Sequence, residues 1–443
     1  MASPSLHFFL HILSTLTIST QYAIGCYTSV FSFGDSLADT GNLLHFSQSG
    51  QLPHFGLPPY GETYFHHPTG RCSNGRLITD FIAHYLGLPF IPPYFGFKNG
   101  SVAADSGVGV NFAVVGATAL DYAFFQQRGI HNPYTKTSLR TQLSWFKNML
   151  PSLSLTSSNC KKLLQSSLVL MGEIGGNDYN HAFLTGRSIE EIQSFVPLVV
   201  NVIASTINEL IKLGATTLMV PGNLPIGCSA AYLTYFKSSN KEDYDPRSGC
   251  LIWLNKFAEY HNDQLQTKLN RIRKLHPRAT IIYADYYNAA MRFYHSPRKF
   301  GFTGGALTAC CGAGGPYNYN SSMECGYPPA SACDDPSLYV SWDGLHLTEA
   351  AYRWITKGHK GKRKETGKNP TRKTRKYKGD ESLQRLSTHH KKKNHSSYVP
   401  LSANSGVPVR GSSSPTKADL DSDDLGNFSE HHFNRATFFL NSL

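Results

Sequence analysis

Residues 29–42 read SVFSFGDSLADTGN, and they place a candidate reactive serine directly after an apolar run. The run SVFSF is apolar without alternation, which is typical of a strand buried on both faces of a parallel sheet. Gly34 permits a tight turn after it, and Ser36 then lies where a helix would begin. Backbone N–H groups at such a helix start can stabilise an oxyanion. Taken alone, the same serine could simply cap a helix.

Three more apolar runs resemble the first, and long helical patterns separate them. Apolar residues at three- and four-residue spacing predict helices over 189–213 and 251–275. Alternating strands and helices predict an α/β fold with a mainly parallel central sheet and helices on both faces. The further predicted strands are 168–171, 216–220 and 279–284.

Two segments, 51–76 and 300–337, are dense in Gly, Pro, Tyr and Asn and are predicted to be loops. Loops beyond the carboxyl ends of parallel strands are where ligands bind in such folds. A ligand site at these two loops is therefore expected.

A serine hydroxyl is a weak nucleophile until a base takes its proton, so the serine interpretation needs a histidine oriented by an acid. The segment 341–349, SWDGLHLTE, supplies Asp343 and His346. Their spacing can place the carboxylate against one imidazole nitrogen and leave the other nitrogen for Ser36. An isolated pair of this kind is weak evidence, because any one of the 19 histidines is more often structural.

Two glycine-containing segments offer donors for an oxyanion. The run 110–118, VNFAVVGAT, would bring the backbone N–H of Gly116, and the run 175–178, GGND, would bring the side-chain amide of Asn177. Each segment alone is typical of an ordinary glycine turn. The four elements occur in a fixed order, and two of them follow predicted strands, which favours one shared site.

The segments FSFGDSLADTGN, NFAVVGATAL, EIGGNDY and WDGLHLTEAAY together resemble blocks I, II, III and V of the plant GDSL, or SGNH, hydrolases. This resemblance implies a three-layer flavodoxin-like fold and an ester hydrolase that works through an acyl-enzyme without a metal or organic cofactor. It implies Ser36 as nucleophile with Asp343 and His346 as its partners. It also implies an oxyanion hole made by the N–H groups of Ser36 and Gly116 and by the side chain of Asn177.

Within the family, the sequence is most similar to members resembling acetylajmalan esterase and sinapine esterase. The expected substrate is therefore a small acylated metabolite, such as an acyl or acetyl ester of an alkaloid, a choline or a phenolic. A lipid, a cutin monomer or an acetylated wall polysaccharide is the alternative ester. A second class of hypothesis is a non-catalytic protein, either an inactive protein that keeps the fold or a nucleic-acid binder with a basic tail. The intact catalytic positions argue against an inactive protein.

The two ends of the chain differ from the predicted hydrolase domain, 26–356. Residues 1–25 combine an apolar run with Ala-Ile-Gly, which predicts a secretory signal peptide and a secreted protein, extracellular or vacuolar, without a stable membrane anchor. From Lys357 onward lie 18 of the 42 Lys and Arg but 8 of the 30 Asp and Glu, so the tail 357–443 carries +10 of the formal charge of +12. This composition predicts disorder.

Because the basic charge belongs to the tail, it does not predict a core that binds nucleic acid. Members of the family continue the folded chain beyond the block V helix, whereas here the resemblance ends near Gly358. The tail is therefore interpreted as a translated intron or as part of a wrongly joined gene model. If the tail is genuine, the last element that would pack beside His346 is missing.

The nine cysteines fit an oxidising compartment. Four of them crowd the second loop segment, where disulfides would constrain a loop, and their spacing lacks the paired C-x2-C of tetrahedral zinc sites. The odd count leaves at least one thiol unpaired. The four cysteines are Cys310, Cys311, Cys325 and Cys333.

The sequence also contains N-glycosylation sequons, which fit a glycosylated secretory protein. They are at Asn99, Asn320, Asn394 and Asn427.

Overall fold

The computed structural model describes residues 27–46, 52–98, 109–153 and 157–358. The predicted signal peptide, most of the predicted basic tail and the sequons other than Asn320 lie outside the described residues.

The described residues form eight short strands and twelve α-helices. The strands are β1 Ser29–Ser32, β2 Ser167–Leu170, β3 Thr217–Pro221, β4 Thr280–Ala284, β5 Gly305–Ala309, β6 Cys311–Gly312, β7 Ser331–Ala332 and β8 Tyr339–Ser341. The helices are α1 Asn42–Phe46, α2 Ile78–Tyr85, α3 Tyr94–Lys98, α4 Tyr122–Gln126, α5 Leu139–Leu153, α6 Ser157–Gln165, α7 Gly176–Leu184, α8 Ile189–Leu213, α9 Ala230–Tyr235, α10 Ile252–Leu275, α11 Tyr286–His295 and α12 Glu349–Lys357.

The central sheet consists of β1, β2, β3 and β4 in that order, and all neighbours are parallel. An irregular segment extends the sheet beyond β1, because the N–H of Ser32 donates to the carbonyl of Val110 at 3.0 Å and the N–H of Phe112 donates to the carbonyl of Ser32 at 2.7 Å. The predicted parallel sheet is confirmed, and the strand bounds differ from the predicted ones by one residue.

Successive residues of the central strands enter two separate apolar cores, one on each face of the sheet. Phe31, on β1, belongs to a core that also holds side chains of α5, α8 and α10. Val30, the preceding residue, belongs to a second core with side chains of α2, α11 and α12. Burial on both faces explains why the strand sequences do not alternate. The predicted three-layer α/β architecture is confirmed.

Helix α8 packs its apolar face into the first core. It begins after Ser188, whose side chain accepts from the N–H of Glu191, and ends at Gly214, which has a φ of +124°. Within the described residues it alone is long and apolar enough to cross a membrane. Its length and composition alone would therefore fit a membrane span. Half of its most apolar window is buried within the protein, as expected of a core helix.

The predicted loop 300–337 contains the short strands β5, β6 and β7, which the sequence did not indicate. Strand β5 pairs in parallel with β8, and β6 pairs antiparallel with β7. Runs of two to five residues lack a readable period, so contacts distant in sequence define these strands.

The predicted disulfides in segment 300–337 are confirmed, and the described residues contain a further disulfide outside this segment. The disulfides are Cys310–Cys333, Cys311–Cys325 and Cys228–Cys250. The buried Cys72 keeps a free thiol.

Candidate active site

The turn after β1 is held from both sides by one glutamine. The side-chain amide of Gln142, on α5, donates to the carbonyl of Gly34 at 2.7 Å and accepts its N–H at 2.9 Å. Gly34 has a φ of +149°, and a Cβ there would lie 2.9 Å from the carbonyl oxygen of Glu173. A side chain is therefore excluded at position 34, and the turn presents Ser36 beyond the carboxyl end of β1.

Ser36, His346 and Asp343 form one continuous chain of hydrogen bonds. The hydroxyl of Ser36 lies 2.8 Å from Nε2 of His346, and Nδ1 of His346 lies 2.7 Å from Oδ2 of Asp343. Because Nδ1 faces a carboxylate, we assign the imidazole proton to Nδ1. Nε2 is then free to accept a proton from the serine hydroxyl. The structure thus brings together the three residues that the sequence proposed as a catalytic group.

The loop between β8 and α12 shapes the acid and the base together. The N–H groups of Leu345 and His346 donate to Oδ1 of Asp343 at 3.0 and 2.8 Å. The N–H of Trp342 donates to the carbonyl of His346 at 2.8 Å, which closes the loop. The spacing of three residues between Asp343 and His346 allows both contacts, because one carboxylate oxygen accepts the N–H groups of the loop and the other faces Nδ1 of the imidazole.

Burial and charge act in opposite directions on this pair. Burial alone would lower the pKa of His346, but the charge and hydrogen bond of Asp343 outweigh burial and raise it above the usual 6.5. Burial alone would raise the pKa of Asp343, but His346 and the loop N–H groups hold it well below its usual range. Asp343 is therefore ionised at neutral pH, and the imidazole is a stronger base than a free histidine.

The predicted oxyanion donors line the same cavity as Ser36. Asn177 lies in the first turn of α7, and its side-chain amide donates to the carbonyl of Ala117 at 3.0 Å. Gly116 has a φ of +78°, and its carbonyl accepts from the side chain of Asn132 at 2.6 Å. These bonds fix the planes of the amide and of the peptide beside the serine. The structure thus also brings together the predicted oxyanion group.

Two buried carboxylates join the chemical segments to one another. Asp39, from block I, accepts the N–H of Asn42 at 2.6 Å and the N–H of Val115, from block II, at 2.9 Å. Asp178, from block III, accepts the N–H groups of Ala119 and Leu120 at 2.7 and 2.9 Å. Burial raises the pKa of Asp39 to about 6 and that of Asp178 to about 7, although these hydrogen bonds oppose the rise. Sequence reasoning missed both roles.

The cavity around Ser36 has a volume of about 150 Å³, and several aromatic side chains line it. His54, also in the lining, pairs with Glu324 at 3.1 Å, and its ring lies 6.3 Å from that of Tyr134. No Lys or Arg lies among the described lining residues, whereas four acids do. The acids are Asp35, Glu173, Glu324 and Asp343.

Asp35 and Glu173 are buried close together in the cavity wall. Burial and the neighbouring Glu173 raise the pKa of Asp35 well above its usual range. Within the described ranges, no cluster of three or more His, Cys, Asp or Glu side chains could hold a metal ion.

Comparison with known proteins agrees with this geometry. Residues 30–358 match the model of the GDSL-like Lipase/Acylhydrolase family. The Arabidopsis thaliana GDSL esterase/lipase At1g28580 is 55% identical over 350 residues, which cover 79% of this chain and 89% of the relative. GDSL esterase/lipase At2g27360, from the same plant, is 50% identical over 363 residues, which cover 81% and 91%.

Among solved structures, LAE5, an alpha/beta hydrolase enzyme from the metagenome of Lake Arreo, is 12% identical with a TM-score of 0.30 over 74% of this chain and 90% of that chain. That likeness adds nothing to the assignment. The family match and the relatives do suffice: this chain is a carboxylic ester hydrolase that belongs to the plant GDSL lipase/acylhydrolase family.

Proposed function

We propose that the protein cleaves carboxylic esters through an acyl-enzyme formed on Ser36. The main support is the unbroken hydrogen-bond chain from the hydroxyl of Ser36 through His346 to Asp343, with distances of 2.8 and 2.7 Å. These are the distances at which a general base takes a proton from a nucleophile.

In the first step, Nε2 of His346 takes the proton of Ser36 as Oγ attacks the ester carbonyl. The oxyanion is stabilised by the N–H groups of Ser36 and Gly116 and by the amide of Asn177. His346 then gives its proton to the departing alcohol. In the second step, His346 takes a proton from water, which attacks the acyl group, and the proton returns to Ser36 as the acid leaves.

We propose small acylated metabolites as the substrates. The cavity volume of about 150 Å³ and its aromatic lining support a compact ester with a flat or ring-bearing group. Lipid, cutin and wall-polysaccharide esters are the alternative. A series of p-nitrophenyl esters of increasing chain length separates short acyl esters from the long-chain esters of lipids and cutin, because the proposed cavity favours short acyl groups.

We also propose that the protein enters the secretory pathway, for delivery outside the cell or to the vacuole. The predicted signal peptide supports this, and so do the disulfides of the described residues, since disulfides form and persist in oxidising compartments.

The mechanism is tested by secreting the full chain and its Ser36→Ala variant from a eukaryotic host and treating both with a fluorophosphonate probe. The probe should label the parent and leave the variant unlabelled. Equal thermal melting of the two proteins is the control for folding. Equal labelling of both proteins would remove Ser36 from the mechanism.

Replacing Asn177 with alanine should lower kcat by about 10²- to 10³-fold, since one oxyanion donor is lost. Asn288→Ala is the matched control, because Asn288 is exposed and does not line the cavity, and its kcat should equal the parental value. Steady-state kinetics with p-nitrophenyl acetate measure both. A parental kcat in Asn177→Ala would contradict the assigned donor.

Esters that carry a negative charge should be poor substrates, because the described cavity lining holds the carboxylates of Glu324 and Asp343 and no Lys or Arg. We expect kcat/KM for p-nitrophenyl hemiglutarate to be lower by about tenfold or more than for p-nitrophenyl valerate, a neutral ester of similar length. Glu324→Gln, which removes a half-exposed charge, should reduce the difference in kcat/KM between the two esters. Equal kcat/KM for the two esters would refute this charge preference.

A further inference from the structure

The carboxylate of Asp343 has a hydrogen-bond donor from a distant part of the chain. Leu345 and His346, which donate to it through their backbone N–H groups and the imidazole, belong to its own loop. The hydroxyl of Tyr60 donates to Oδ2 of Asp343 at 2.8 Å, across 283 positions of sequence. Tyr60 therefore ties this loop to the loop segment that precedes α2.

The side chain of Tyr60 is held in place before it donates. Its relative exposure is 0%, and its ring meets the ring of Trp342 edge-on, with 5.7 Å between centroids. Burial, followed by the nearby charge of Asp343, raises the pKa of Tyr60 well above 10. The hydroxyl therefore keeps its proton across the working pH range and can act on the carboxylate only as a donor.

This donor acts on the base through the acid. A hydrogen bond to Asp343 stabilises the negative carboxylate, so the carboxylate attracts the proton of a charged His346 less strongly. Without the Tyr60 hydroxyl, Asp343 would attract that proton more strongly, and the pKa of His346 would rise further. The hydroxyl also restricts rotation of the carboxylate, which orients the imidazole toward Ser36.

Other titratable side chains also face this group. Burial raises the pKa of the carboxyls and the thiol among them, and of two of the three phenols, which favours their uncharged forms. Asp343, by contrast, has a pKa below its usual range, so it is the carboxylate whose charge acts most strongly on His346. These other side chains are Asp35 with its neighbour Glu173, Cys72, Tyr134, Tyr319 and Tyr352.

We propose that Tyr60 is a positioning residue of the active site: its hydroxyl holds Asp343 in place and moderates the charge that Asp343 presents to His346. This inference rests on the proposed function, because it takes His346 as the base that activates Ser36.

Tyr60→Phe keeps the buried ring and removes only the hydroxyl. Activity requires a neutral His346, so kcat/KM falls as pH drops through the pKa of this histidine. Since the variant raises that pKa, the acid limb of kcat/KM should move to higher pH by about half a unit, with a loss in kcat of about tenfold and KM within about twofold. Kinetics with p-nitrophenyl acetate from pH 5 to 9 measure the limb.

Tyr287→Phe is the matched control, because the hydroxyl of Tyr287 donates to the carboxylate of Glu259 at 2.6 Å outside the cavity. This variant should keep the parental limb and kcat. A second variant retains the fold: 3-fluorotyrosine at position 60, introduced by codon suppression, is a more acidic and stronger donor. It should move the acid limb to lower pH.

An acid limb that stays in place in Tyr60→Phe, or in the fluorotyrosine protein if Tyr60→Phe does not fold, would overturn the inference and leave Tyr60 with a packing role. This failure is distinct from failure of the proposed function. In the first case Ser36→Ala still loses activity and probe labelling, whereas in the second case it keeps them.

Discussion

Replacing His346 with alanine should lower kcat by about a millionfold, the loss found when a serine hydrolase loses its nucleophile or its base. The physical reason is that Ser36 would keep its proton, because the imidazole nitrogen 2.8 Å from its hydroxyl would be gone. Steady-state kinetics with p-nitrophenyl acetate, with the enzyme concentration set by absorbance, measure the loss.

The matched control for this prediction is His276→Ala. In the parent protein, Nε2 of His276 lies 2.9 Å from the side chain of Asn208, and His276 does not line the cavity. Its kcat should equal the parental value. A His346→Ala enzyme with a tenth of the parental kcat would exclude His346 as the base.

Replacing Asp343 with asparagine should lower kcat by about 10⁴-fold while the protein still folds. An amide places an N–H group where the carboxylate now accepts from Nδ1 of His346, and this favours the imidazole tautomer that cannot take the proton of Ser36. It also leaves some of the four present donors without an acceptor. Some loss of thermal stability is therefore expected as well.

Asp335→Asn serves as the control for Asp343→Asn. Asp335 is exposed and caps a short turn by accepting the N–H of Ser337 at 2.9 Å. Its replacement should leave kcat unchanged. If Asp343→Asn retained parental kcat, the carboxylate would have no part in orienting the base.

The site is assembled from segments far apart in sequence, and buried polar contacts fix each segment before substrate arrives. Gln142 brackets the turn that carries Ser36, and Asp39 and Asp178 bind backbone N–H groups of block II. Catalytic groups held this way lose little entropy when the transition state forms. Backbone N–H donors offset part of the energetic cost of burying these carboxylates, and the raised pKa values reflect the part that remains.

Strong local patterns made much of the fold predictable from the sequence. The four central strands are short continuous apolar runs, and the two long helices have apolar residues at helical spacing. A glycine lies one or two residues beyond three of the four strands and marks where the chain turns. The segment around Val110 has no such pattern and was not predicted to extend the sheet. It joins the sheet through backbone hydrogen bonds to Ser32. The short strands within 300–337 were missed for the same reason.

The site could be predicted where a motif holds the interacting residues close together, as for Asp343 and His346. Tyr60 and Gln142 had no such signal. Each contacts the site across more than one hundred positions, through one side-chain group. A tyrosine in a Pro/Gly-rich loop and a glutamine on an amphipathic helix look ordinary in the sequence, and only the folded chain brings them to Asp343 and Gly34.

The most direct measurement is to map the adduct that a fluorophosphonate leaves on the folded protein by proteolysis and mass spectrometry. A single covalent modification on Ser36, absent from His346→Ala treated for the same time, is the predicted result. An adduct on any other residue, with Ser36 unmodified in fully active enzyme, would contradict the proposed mechanism.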